Sequence, residues 1–340
     1  MNKSRNQINI AVIGLGRMGK IHLRNLLQAI PQANVVLVAD PVYPEDDFKK
    51  EYPGIRFIKN TEEAIALPEV DAVVITTPTS THAALVDQCI SNSKHVFCEK
   101  PLDLSLEITK TLLEKAKESG ISLMIGFNRR FDPDFMQARK SISEGKIGNP
   151  QIVKITNRDP ALPNIEFVKT SGGMFMDFTI HDFDMARYLM GKEVVEVYAK
   201  GLVFFDEAIA EVGDIDTALT TLTFEDGTYA VLDNSRKAVF GYDQRLEVFG
   251  DKGMIQVDNN LYNRNILYNE HGIHQALPLN TFTERYIHSY GKEMESFIDA
   301  LLNNKPVPVK NEDIIMATLL AYAAKKSLDE VRPVKISEIL

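Results

Sequence analysis

Cysteine is scarce: Cys89 and Cys98 are the only two in 340 residues. Two thiols cannot build a disulfide framework, and they suit a reducing compartment. No apolar run approaches the roughly 20 residues needed to span a bilayer. Basic charge is not in excess either, with 38 Lys and Arg against 47 Asp and Glu, a net charge of -9 and a pI near 5.4. The basic face that nucleic-acid binding needs is therefore missing. No internal repeat, low-complexity stretch or disordered linker interrupts the chain. What is present is ordinary globular composition, 44% hydrophobic and 25% charged. The length exceeds one typical core and favours two domains. The opening MNKSRNQINIAVIGLG loosely mimics a signal peptide, but its apolar part ends in glycines rather than a small-residue cleavage site. It reads as a first strand, and the protein as cytoplasmic.

Through residue 127, short β-branched runs alternate with amphipathic stretches. INIAVIG, NVVLVAD, IRFIK, DAVVITT, HVFCEK and SLMIGF read as strands, with helices near 17–29, 61–67, 80–91 and 105–118. Thr61, followed by Glu62 and Glu63, and Ser105 are plausible helix starts. Such alternation predicts a doubly wound parallel sheet. GLGRMG, with Gly14, Gly16 and Gly19, follows the first strand and opens the first helix. Glycines there let the turn tighten and the backbone approach a pyrophosphate at the helix N-terminus. The second strand ends in Asp40, close to the spacing of about 20 residues expected for a ribose-binding carboxylate. Strand, helix and Asp together favour dinucleotide binding over a glycine turn without a ligand. Gly14 to Lys20 also has P-loop spacing, but Ile21 stands where that loop needs Ser or Thr. Asp40 favours NAD over NADP by repelling a 2′-phosphate. Arg17 could reach such a phosphate, so NADP use stays open.

The run GGMFMDFTIHDFD, Gly172 to Asp184, sets Asp177 four residues before His181, just after a glycine pair that can begin a helix. Residues i and i+4 share a helix face, so both side chains can point into one cleft. An imidazole oriented by a carboxylate is a ready general base; a solvated Asp/His pair is the bland alternative. His181, Asp182 and Asp184 could suggest a metal, but their spacing spreads them over different helix faces, and no metal is expected. The fifth strand ends at Glu99-Lys100-Pro101, at the carboxyl edge where open α/β sheets bind ligands. Lys100 there can stabilise a developing alkoxide, or be a surface lysine before a proline.

GLGRMG, TPTSTH, CEKP and GGMFMDFTIHDFDMAR, in this order, resemble the family of glucose–fructose oxidoreductase and inositol dehydrogenase. The match runs from Ile8 to about Val334. FNRRFDP, TNRDPALP, NSRKAVFGYDQRLEVFG and FTERYIHSY make the second half most similar to the inositol 2-dehydrogenases. The resemblance implies a Rossmann domain over 1–126, then an α+β substrate-binding and oligomerisation domain over 127–340 with a large, mainly antiparallel sheet. Hairpin signals at Asp226-Gly227 and around Asp251 to Gly253 agree with that sheet. Helices are expected near 284–302 and 311–328. Imperfect alternation leaves one sheet face for another subunit, and family members commonly form tetramers, so a homotetramer is expected. The resemblance further implies Lys100, Asp177 and His181 as the catalytic group, with His181 taking the hydroxyl proton. Cofactor contacts fall on Gly14, Gly16, Arg17, Met18, Gly19, Asp40, Thr77, His82, Glu99 and Lys100. Polyol contacts fall on Asn128, Arg129, Asn157, Asp159 and Tyr242. Part of the family has Met at position 128 and His or Asn in the TNRDP segment, which leaves the stereoisomer open. The expected activity is NAD-dependent oxidation of myo-inositol to its 2-keto form. Another cyclitol, an aldose or an anhydrosugar is the alternative substrate; a non-catalytic NAD-binding sensor is the alternative class.

Overall fold

A computed structural model of the chain describes residues 6–339. Two compact units emerge. The first takes the chain up to Phe131 together with His288–Ile315, and the second takes Asp132–Ile287 with the chain from Met316 onward. Residues 288–315, which a boundary near Gly126 assigns to the second half, thus belong to the first unit.

In the first unit, β1 (Ile8–Ile13), β2 (Ala33–Ala39), β3 (Arg56–Ile58), β4 (Ala72–Ile75), β5 (His95–Cys98) and β6 (Leu123–Ile125) form one wholly parallel sheet. Their order is β3-β2-β1-β4-β5-β6. Consecutive central residues such as Val73 and Val74, or Val96 and Phe97, have no exposed surface. Burial on both faces is what unbroken apolar strands require. The connecting helices are α1 (Arg17–Gln28), α2 (Glu45–Glu51), α3 (Thr61–Ala66), α4 (His82–Ser91) and α5 (Leu106–Glu118). Periodicity does not reveal α2, because EDDFKKE buries only Phe48; its acidic first turn and lysines at the end complement the helix dipole instead. The cap of α3 is Asn60 rather than Thr61: its side-chain oxygen accepts the Glu62 and Glu63 amides at 2.9 and 3.2 Å. Ser105 caps α5 by accepting the Ile108 amide at 3.3 Å. The strand order reverses between β1 and β4, so the loops leaving them diverge and open a crevice at the carboxyl edge.

In the second unit, β7 (Pro150–Arg158), β8 (Val194–Leu202), β9 (Thr217–Phe224), β10 (Tyr229–Ser235), β11 (Asp243–Gly250) and β12 (Gly253–Val257) pair into a large sheet. A small separate ribbon joins β13 (Ile266–Asn269) to β14 (Gly272–Gln275), and β15 (Val334–Lys335) completes the large sheet in the order β12-β11-β7-β10-β9-β8-β15. All its neighbours are antiparallel except β7 and β10. Gly227, at φ +82°, makes the expected turn between β9 and β10. One face buries Val197, Leu222, Leu232 and Val248 completely, while the other leaves Leu219, Tyr229 and Phe249 about half exposed. The helices include α6 (Pro133–Ser143), α7 (Ile165–Ser171) and α8 (Ile180–Met190), and α8 lies against β7. The helix expected near 284–302 is two, Phe282–Arg285 and Ile287–Leu302, the first begun by a reciprocal cap between Thr281 and Glu284. Among the described residues no helix is long and apolar enough to cross a membrane.

Candidate functional site

The glycine loop is built for close approach. Gly14 has φ +95°, a conformation side chains rarely adopt, and a Cβ on Gly19 would stand 2.0 Å from the Gly14 carbonyl oxygen. At Gly16, the residue that begins α1, a Cβ would meet nothing within 4 Å. No acidic side chain occupies the first turn of α1 and none caps it. Its amides are left for an anionic ligand, as in dinucleotide folds. Arg17 is exposed there and Met18 half-buried.

Asp40 does more than its spacing suggests. Its Oδ2 accepts the Leu15 amide of the glycine loop at 2.7 Å, and Oδ1 accepts the Val42 and Tyr43 amides at 2.8 and 2.7 Å. An ionised carboxylate offers about four lone-pair sites, so three amides leave capacity for one ribose hydroxyl. A dinucleotide therefore fits the cradle, and Asp40 also holds that cradle in shape.

Two expected cofactor contacts turn inward. His82 is 1% exposed, with Nδ1 2.8 Å from the Pro101 carbonyl and Nε2 2.9 Å from the Thr77 carbonyl. It ties the loop after β4 to the loop after β5, and half-buried Thr77 is the residue at the loop surface. Glu99 lies 2.8 Å from His22 Nε2, and its Oε2 would be 3.2 Å from a Cβ on Gly126. The His22 ring, wholly buried, packs edge-on against Phe97 and Tyr290. Nearby on the helix Ile287–Leu302, Glu293 is fully buried with neither carboxyl oxygen hydrogen-bonded. Burial pushes its carboxyl well above the usual range, and the charge of Glu99 adds to the push. Lys100, half-buried, follows this cluster directly.

In the second unit the glycine pair works as two stops. Gly172, at φ +85°, ends α7, and Gly173, at φ +78°, precedes a π-helical segment, Met174–Thr179. Asp177 lies in that segment and His181 in the first turn of α8, so the simple α-helical i, i+4 relation is replaced by a π-to-α junction. Such π turns are rare and recur at functional sites. Both side chains are half-buried. Arg236, 1% exposed and just beyond β10, places Nη1 3.4 Å from Asp177 Oδ2 and Nη2 3.5 Å from Asp214 Oδ2. Asp214 Oδ1 accepts the Met174 amide at 2.9 Å, pinning the start of the π segment.

The proposed polyol contacts divide. Asn128 is 4% exposed, and its Nδ2 makes no hydrogen bond. That buried amide donor suits a substrate hydroxyl. Arg129 is also 4% exposed, whereas neighbouring Arg130 makes a 2.8 Å ion pair with Asp313 and is structural. Asp159 is half-buried at the end of β7, and Tyr242 is buried with its ring edge-on to Tyr286. Asn157 differs: it has no exposed surface, and both ends of its amide are engaged. Its Nδ2 donates to Asp182 at 2.8 Å and its Oδ1 accepts from Gln244 at 2.6 Å. Asn234 donates to the same Asp182 oxygen at 2.8 Å, Thr179 donates to Asn234 at 3.0 Å, and the Tyr286 hydroxyl donates to Gln244 at 3.0 Å. This satisfied network locks α8 onto β7 and β10 through Asp182. Among the described residues no group of three His, Cys, Asp or Glu side chains is arranged to hold a metal ion.

A six-stranded parallel sheet with a glycine cradle and a carboxylate at the end of its second strand, joined in one chain to a large mixed sheet carrying an Asp/His helix junction, defines a Rossmann-type oxidoreductase. Residues 8–127 match the oxidoreductase family with an NAD-binding Rossmann fold, and residues 135–256 match the GFO/IDH/MocA C-terminal domain. The chain is 46% identical over 336 residues to myo-inositol 2-dehydrogenase of Thermotoga maritima, covering 98% of this chain and all of that protein. It is 38% identical to inositol 2-dehydrogenase of Rhizobium meliloti, over 97% of this chain and 99% of the other. A crystal structure of scyllo-inositol dehydrogenase from Lactobacillus casei, with bound NAD(H) and scyllo-inositol, superposes with a TM-score of 0.90 at 30% identity, covering 97% of this chain and 99% of that one. The chain belongs to the GFO/IDH/MocA family of NAD-binding oxidoreductases.

His22, Glu293, Asp214 and Arg236 escape sequence reasoning. They lie far apart in the chain, and no spacing rule links them.

Proposed function

We propose that this protein oxidises myo-inositol to 2-keto-myo-inositol with NAD. Two supports converge: full-length similarity to a myo-inositol 2-dehydrogenase, and Asp177 with His181 at a π-to-α junction four residues apart. The second carries the chemistry. Bound NAD supplies the hydride acceptor at its nicotinamide ring. Lys100 donates to the reacting hydroxyl and stabilises the oxygen as negative charge develops there. His181 accepts the hydroxyl proton, leaving a ketone and an imidazolium. Asp177 compensates that imidazolium and orients its ring. Asn128, Arg129, Asp159 and Tyr242 contact the other hydroxyls. Scyllo-inositol is the second reading, favoured by the fold shared with the Lactobacillus casei enzyme.

The assembly we propose is a homotetramer packed through the open sheet face, where Leu202, Leu219, Tyr229, Phe249 and Met254 are 45–62% exposed. Light scattering in solution reads its mass. The free, buried Cys89 and Cys98 suit the cytoplasm. The mechanism is tested by His181→Ala, which should lower kcat by about 10²–10⁴ while leaving NAD affinity nearly unchanged. Activity within a few-fold of wild type would remove His181 from the reaction.

A further inference from the structure

Three amides form a row across the buried face of the large sheet. Asn234, Asn157 and Gln244 are register partners on β10, β7 and β11. Two residues back, and so on the same face, the equivalent row is Leu232, Ile155 and Leu246, all buried. The amides are no more exposed: Asn157 and Asn234 have no exposed surface, and Gln244 is 2% exposed. A second apolar row would seal this face without buried polar groups, which cost stability unless they are paired. Here they are paired, and in one direction. The Tyr286 hydroxyl donates to Gln244, Gln244 to Asn157, and Asn157 to Asp182 Oδ2. From β10, Asn234 donates to the same Asp182 oxygen and accepts from the Thr179 hydroxyl. A carboxylate oxygen that accepts from both chains fixes the direction of each. Turning over any one amide would set oxygen against oxygen.

Both chains end on the helix junction. Thr179 closes the π-helical segment that carries Asp177, and Asp182 lies in the first turn of α8. Between them stand only Ile180 and His181. The start of the segment is held separately, by Asp214 on the Met174 amide. A π turn is rare, and a regular α turn is its ordinary alternative. A slip of one residue between the two swings a side chain by about 100° around the helix axis, enough to point Asp177 and His181 in different directions. We propose that Thr179 and Tyr286 are positioning residues for the Asp177–His181 pair. Through the amide row their hydroxyls hold Thr179 and Asp182 against the sheet, and with them the π-to-α register that sets the two side chains relative to each other. Without the Tyr286 hydroxyl, Gln244 loses the donor that orients its amide, and Asn157 then loses its own. The inference rests on the dehydrogenase reading above, in which His181 takes the hydroxyl proton.

Two near-isosteric variants test this, Thr179→Val and Tyr286→Phe, each removing one hydroxyl. Both should lower kcat for myo-inositol with NAD, Thr179→Val by about 10- to 100-fold and Tyr286→Phe by roughly tenfold. NAD affinity by calorimetric titration should hold, and Thr179→Ser should restore most of kcat. Because both hydroxyls act on one register, the double variant should lose little more than Thr179→Val alone. Losses that multiply would mark two independent defects and overturn the proposal. So would wild-type kcat, measured well below the melting temperature, in variants that only melt earlier, which is what a merely structural role predicts. If Thr179→Val does not fold, Tyr286→Phe decides alone. If the wild type turns over no polyol, the dehydrogenase reading fails separately, and hydrogen–deuterium exchange judges the clamp. The amides of residues 178–183 should then exchange faster in both variants than in wild type, and unchanged exchange would overturn it.

Discussion

Replacing Gly19 by alanine attacks the cofactor cradle at a point where the coordinates set the size of the effect. The added methyl would stand 2.0 Å from the Gly14 carbonyl oxygen, 2.8 Å from Thr76 Oγ1 and 2.9 Å from the Gly14 carbonyl carbon, where ordinary contact begins at 3.4 Å. Two of those neighbours are backbone, so rotamer changes cannot relieve the clash. The first turn of α1 must move away from the loop by more than about 1 Å, a displacement able to cost roughly 10²-fold. Thr76 also loses ground, because its hydroxyl donates to the Gly14 carbonyl at 2.9 Å and a broken bond of this kind costs about 0.5–1.5 kcal/mol. NAD affinity should therefore weaken about 10- to 100-fold, equivalent to roughly 1.4–2.7 kcal/mol. Calorimetric titration with NAD measures this directly, and the chain has no tryptophan for a fluorescence assay. Gly16→Ala is the control for packing: its methyl meets nothing within 4 Å, so the melting temperature without cofactor should hold, while Gly19→Ala lowers it. Wild-type affinity and melting temperature in Gly19→Ala would refute the reasoning.

Two further outcomes are expected. Asp40→Ser removes the acceptor of three amides, including that of Leu15, so it should lower thermal stability while raising the NADP-to-NAD ratio of kcat/KM by roughly tenfold; an unmoved ratio would take Asp40 out of the ribose site. Glu293 is raised in the folded state by burial and by Glu99, so the stability tied to its protonation is fully present below the ordinary value of 4.5 and is lost as pH rises through the folded-state value. Urea melts across pH 5 to 8 should therefore show wild type losing stability relative to Glu293→Gln as pH increases, and parallel curves would contradict the assignment.

The first unit was legible because local signals and tertiary structure agree there. Strands buried on both faces must be unbroken apolar runs, and the glycine spacing of GLGRMG is dictated by backbone proximity between Gly14 and Gly19. What escaped is what periodicity cannot carry. Helix α2 has a single buried residue, Phe48, and so no apolar stripe. The π segment at Asp177 has no composition of its own; it follows from the positive-φ pair Gly172 and Gly173 and from Asp214 holding the Met174 amide. Asn157 shows the limit at the site: a polar residue at the end of a strand reads equally well as a ligand contact or as part of a buried network, and only its partners Asp182 and Gln244 decide. Arg236 stands 59 positions from Asp177, beyond any local rule.

The most direct test of the central claim is the initial rate of NAD reduction at alkaline pH across myo-inositol, scyllo-inositol, chiro-inositol, glucose, xylose and levoglucosan, each repeated with NADP. The account expects myo-inositol with NAD to give the highest kcat/KM. Good rates on an aldose with none on any inositol would overturn the substrate, and NAD binding without turnover of any polyol would contradict the assignment of Lys100, Asp177 and His181 to catalysis.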